Sequence, residues 1–138
     1  IEALTSKAKA DGKPMDMEAL RNFYVTTHVE AANFYDQLAV KTTGSSPAHM
    51  LLLHETDIAA LFIGDLVSAL RADGWAIVSA DTAYADPIGD VLTDVPSHQG
   101  TLTESMAWQK GLPAPRWYAR NDTKLMAALF NEQVLKEK

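Results

Sequence analysis

Cysteine is absent from the 138 residues. That removes disulfides and thiolate metal sites and leaves the redox compartment open. Also missing is any apolar run near the roughly 18 residues that a membrane helix needs, so no transmembrane segment is expected. Basic charge is scarce. Twelve Lys and Arg stand against eighteen Asp and Glu, for a net charge of −6 and a pI near 5.1. No basic stripe gathers along the chain, and nucleic acid is not an expected partner. No GxSxG elbow, phosphate-binding glycine loop, dinucleotide fingerprint, HxxxH or HExxH occurs, and no nucleophile can be paired with a base for a small hydrolase acting alone. The chain opens on Ile1 rather than Met. We expect a processed or truncated product, from which any export signal is already gone.

What is present has a globular character: 47% hydrophobic and 22% charged residues, enough for one ordinary domain. IEALTSKAKADG reads as a short helix closed by Gly12. Pro14, Asp16 and Glu18 open a longer helix with acidic groups at its positive end. Its stripe is Leu20, Phe23, Tyr24, Thr27, His28, Ala31, Phe34, Tyr35 and Leu38. Residues 42–47 read as a loop.

Residues 48–54, HMLLLH at their core, are apolar at nearly every position, which predicts a strand buried on both faces of a parallel sheet. DIAALFIGDLVSALRADG predicts a helix capped by Asp57, with Ile58, Leu61, Phe62, Leu66 and Leu70 as its stripe and Gly74 as its end. Trp75–Ser79 predicts a second strand, and the three elements together predict a right-handed βαβ unit. Beyond Ala80 the chain turns irregular. Thr101 to Glu104 has capping-box spacing and starts a short helix ending near Gly111. LPAPRWYARN reads as extended and proline-stiffened. Asn121 or Asp122 caps a last helix through about Leu135, with Leu125, Met126, Leu129, Phe130 and Val134 as its stripe.

Two parallel strands cannot make a covered sheet by themselves, because each leaves an unpaired edge. We therefore expect an α/β fold whose sheet is completed by residues or a chain not present here. The organisation is a single partial domain over 1–138: a helical segment over 1–44, a βαβ core over 48–80, and a helical and irregular tail over 81–138.

In such a sheet, functional groups collect at the carboxyl ends of strands. His54 stands at that end. Alternation places Met50, Leu52 and His54 on one face and His49 on the other, so the two histidines cannot share an ion. A histidine at that rim suits general acid or base work. The bland reading, an edge histidine bonded to nearby backbone, competes with it. His28, on an apolar stripe, reads as a core histidine. His98 lies in a loop and takes no role. Asp81, Glu55 and Asp57 read as helix-capping residues, Asp81 with a weaker claim to orient a neighbouring group. Trp75, Trp108, Trp117 and Tyr118 read as packing residues before they read as sugar platforms.

HMLLLHETD, an amphipathic helix and then ADGWAIVSADTAYADP resemble the carboxyl-terminal part of the polysaccharide deacetylases, the NodB-homology or carbohydrate esterase family four. Leu52-Leu53-His54 matches that family's last motif, and Gly74-Trp75 its Gly-aromatic strand opening. RWYARNDTKLMAALFNEQV looks like the terminal segment of a bacterial branch. The resemblance covers about residues 16–135.

The resemblance implies the carboxyl-terminal portion of a distorted (β/α) barrel, with few strands and several helices. It implies a metal-dependent hydrolase, usually using zinc, that removes acetyl groups from N- or O-acetylated sugars. His54 is then the general acid that protonates the leaving atom, and Leu52 lines the acetate pocket. The metal ligands and the catalytic base of the family have no counterpart in this chain. The implied partners are an acetylated poly- or oligosaccharide and a missing amino-terminal half or second chain, in a periplasmic or secreted setting. The alternative is a non-enzymatic α/β interaction module that completes a partner's sheet.

Overall fold

The computed structural model describes residues 1–95 and 100–137. His98 and its loop assignment lie outside them. Among the described residues the chain is helical throughout and no strand forms. This overturns the α/β barrel portion expected from the sequence, its βαβ unit included. The predicted strands 48–54 and 75–79 lack regular structure. Leu52 is 86% exposed, Met50 54% and Leu51 47%, and Ile77 and Val78 are exposed as well. The reason is non-local. An apolar run supplies side chains for a sheet, but a strand also needs a neighbour to pair its N–H and C=O groups. Neither segment has one among the described residues.

The helices follow local chemistry closely. Helix α1 spans Glu2–Ala10, and Gly12 adopts φ +67° where it ends, a conformation that favours glycine. Helix α2 spans Met17–Thr43. Asp16 Oδ1 accepts the N–H groups of Glu18 and Ala19 at 3.0 and 3.1 Å, satisfying two donors of the first turn. The loop expected from residue 42 thus begins at Gly44, two residues later.

Helix α3 spans Asp57–Ala72. Its cap is Thr56, whose Oγ1 accepts from Ala59 N at 3.2 Å, so the cap expected at Asp57 sits one residue earlier. Ile58, Phe62, Leu66 and Leu70 are buried, whereas Leu61, assigned to the same stripe, is exposed. Helix α4, Ala80–Tyr84, is capped by Ser79 and carries Asp81 in its first turn. A 3₁₀ turn follows over Pro87–Asp90, capped by Asp86. Thus the region beyond Ala80 is more regular than its composition suggests. Helix α5, Leu102–Gln109, takes its cap from Thr101 as the capping-box spacing predicts. A 3₁₀ turn at Ala119–Asn121 leads into helix α6, Thr123–Gln133, where Asp122 Oδ1 accepts from Lys124 N and Leu125 N.

The chain divides into two compact units. One comprises residues 1–30, 52–76 and 119–138. Its interior holds Leu20, Phe23, Tyr24, Ile58, Phe62, Leu66, Leu70, Phe130 and Val134. Phe23 meets Phe130 edge to face at 5.8 Å, and Tyr24 meets Phe62 at 6.1 Å, geometries that aromatic quadrupoles favour. Burying a side chain such as Phe130, 1% exposed, contributes about 1.5–3 kcal/mol. The other unit comprises residues 31–51 and 77–118. Leu38, Ala39, Val95, Met106, Ala107 and Tyr118 form its interior. Phe34 packs on Tyr118 at 6.0 Å, and Lys110 Nζ donates to the carbonyl of Thr42 at 2.6 Å, near the end of α2.

Candidate functional site

His54 lies on the irregular stretch leading into α3, two residues before its Thr56 cap. Its ring is exposed, as is Leu52. No strand presents them, so the alternation that placed both on one sheet face no longer applies. Both side chains are open to a partner from solution. The first turn of α3, just beyond, is already satisfied: Thr56 takes one N–H, and Glu2 Oε2 accepts another from Ile58 at 3.2 Å. Glu55 and Asp57 are exposed, and the cap of α3 is Thr56, which lies between them.

The other two histidines among the described residues are engaged. His28 Nδ1 lies 2.7 Å from the carbonyl of Tyr24, one turn back, and its ring packs on Tyr24 at 4.3 Å. Burial holds His28 below the usual histidine range, and the bond to Tyr24 opposes that shift. It is the core histidine that its place on the stripe suggests. His49 Nε2 lies 3.0 Å from Asp36 Oδ1. Asp81 is exposed in α4. Tyr118 is buried against Phe34. Trp108 carries the guanidinium of Arg116 at 4.6 Å from its ring centre, and Arg116 Nη1 donates to the carbonyl of Leu112.

Three or more His, Asp or Glu side chains able to hold a metal ion do not come together anywhere among the described residues. Among the described residues, then, no set of donors fits the divalent cation that the family resemblance implies. Sequence reasoning did not find the group formed by Asp36, Ser46 and His49. Ser46 and His49 lie 10 and 13 positions beyond Asp36, a spacing with no motif to mark it. A shallow pocket of about 240 Å³ opens beside Ala19, Asn22, Phe23, Thr26 and Gln133, and neither His54 nor Leu52 lines it. No helix among the described residues is long and apolar enough to cross a membrane. Comparison with family models, with curated proteins and with solved structures gave no match.

Proposed function

We propose that this chain contributes the general acid, His54, to the hydrolytic removal of acetyl groups from N- or O-acetylated sugars, acting with an amino-terminal half or a second chain that brings the base and the metal ligands. One observation carries the reading. Leu52-Leu53-His54 is followed by an amphipathic helix and then Gly74-Trp75, and both Leu52 and His54 are accessible at the entry to that helix. In the proposed reaction, water adds to the acetyl carbonyl and the carbon–nitrogen or carbon–oxygen bond breaks. The imidazolium of His54 delivers its proton to the departing atom, acetate leaves, and the proton lost by water goes to the partner's base. Leu52 offers an apolar wall against the acetyl methyl. Polymeric acetylated sugars lie outside the cytoplasm, so the working compartment is the periplasm or the exterior.

The test is acetate release from N-acetylglucosamine oligomers by the complex that co-purifies with this chain from its source cells. Loss of about tenfold or more in His54→Ala, the scale of a general acid, supports the role. Acetate release unaltered by that substitution overturns it.

Another observation favours a second reading. Met50, Leu51, Ile77 and Val78 are exposed on non-helical segments of one unit, and solvent-facing apolar groups of this kind suit contact with another protein. In that reading the chain is a non-enzymatic interaction module. It predicts a tight complex that neither binds metal nor releases acetate.

A further inference from the structure

We propose that the outward face of α3, centred on Gly64, docks antiparallel against the same face of a second copy of this chain. The helix lies within one unit. It buries Ile58, Phe62, Leu66 and Leu70 on one side. At about 100° per residue, Asp57, Ala60, Leu61, Gly64, Ser68 and Arg71 gather on the other, and all six are exposed. Leu61, the largest apolar group among them, is 59% exposed. Two charges frame this face. Asp57 and Arg71 stand seven residues before and after Gly64, each about 20° from its direction. Neither side chain has an ion pair or hydrogen bond among the described residues. Asp65, turned off this face by about 100°, is by contrast held by Arg21 at 3.5 Å. The helix dipole favours an acid in the first turn and a base in the last, but it gives no reason for both to share the line of Gly64.

That placement is self-complementary. A twofold axis beside Gly64, at right angles to α3, sets each residue before it level with the residue as many places after it on the other copy. Asp57 then meets Arg71 of the second copy, and the pair forms twice. No like charges meet across the face. On the flanks, Leu61 falls beside Ser68 of the second copy and the half-buried Val67 beside Ala60 of the second copy, a larger side chain against a smaller one each time. Gly64 meets its own counterpart on the axis. A Cβ there would touch nothing within 4 Å, so the chain itself leaves this approach open. Ser68 Oγ donates to the Gly64 carbonyl at 2.9 Å, so its hydroxyl keeps a partner when covered. A shallow crossing of about 20° holds both ion pairs within reach. One helix face is a small interface beside the roughly 1,200 Å² of a standard one, and the association is therefore weak and reversible. His54 precedes α3 and lies off this face, so the dimer stands or falls apart from acetate release.

The experiment is sedimentation equilibrium of the 138-residue chain at low salt, from about 10 to 500 μM. Monomer and dimer should exchange over that range, and salt should weaken the dimer by screening its two ion pairs. Gly64→Gln adds bulk on the axis at a position open to solvent and should raise the dissociation constant by about tenfold or more. Arg71→Glu sets like charge against like charge twice and should weaken the dimer by about tenfold. Adding Asp57→Lys to Arg71→Glu should restore it, with circular dichroism showing the helices retained in each variant. A chain that stays monomeric to about 500 μM overturns the proposal. So does an association that Gly64→Gln leaves intact, or one that the paired charge swap fails to restore.

Discussion

Arg120 Nη1 donates to Thr27 Oγ1 at 2.7 Å, joining residues 93 positions apart in the sequence. Its Nη2 lies 3.2 Å from Glu30 Oε2, and the guanidinium sits over the Phe23 ring at 5.6 Å. One side chain thus ties the 3₁₀ turn before α6 to three successive positions on one face of α2. The Arg120 side chain is only 15% exposed, and Thr27 is buried. Arg120→Ala should lower stability by about 1–3 kcal/mol, because it leaves the Thr27 hydroxyl without that partner. Arg120→Lys should recover only part of the loss, since an ammonium cannot span two acceptors and a ring as a planar fork does. Urea unfolding of both variants checks this.

Tyr24 buries its hydroxyl without a hydrogen-bond partner among the described residues. Burial also pushes its phenol above the usual range. Tyr24→Phe keeps the ring against Phe62 and removes only the unmatched oxygen. We expect stability unchanged or raised by up to about 1 kcal/mol. A thermal midpoint several degrees lower would contradict it.

His28 predicts a stability that rises with pH through the histidine range. Burial lowers its folded-state value, so the unfolded chain binds the proton more readily. Its contribution is present above the ordinary histidine value of about 6.5 and is lost as pH falls below it. Urea midpoints should fall between pH 7.5 and 5, and His28→Gln should flatten that fall.

Glu104 Oε2 is buried without a partner among the described residues, and burial raises its carboxyl above the usual range while Arg116 opposes. Ionising the group therefore weakens the fold as pH rises past its unfolded value. Glu104→Gln should stabilise at pH 7 and do little at pH 4, read as the difference between the two denaturation curves.

His54→Ala should leave stability within about 0.5 kcal/mol of the unaltered chain, because the ring is exposed. Any loss of acetate release in that variant then belongs to chemistry and not to unfolding. Equal thermal midpoints are the control.

The helices could be read from the sequence because their causes are local. Thr101 with Glu104, Asp122 ahead of Thr123, and Gly12 past α1 satisfy or end a helix within a few residues. The stripe of α2 could be read for the same reason, from Leu20 to Leu38. His28 as a core residue followed from that stripe. The candidate site was legible only as a motif. Leu52 and His54 could be named, but their surroundings could not. The Asp36, Ser46 and His49 group and the Arg120 tie left no local trace, since each joins groups that only folding brings together.

By itself, then, the sequence determined where α1, α2, α5 and α6 begin, much of the face that α2 and α3 bury, and that no thiolate site forms. Tertiary structure decided that residues 48–54 and 75–79 are not strands, because a strand exists only when another backbone pairs with it. It also decided which charges meet. Nothing in the sequence pairs Asp36 with His49, and they become partners through the turn that follows α2.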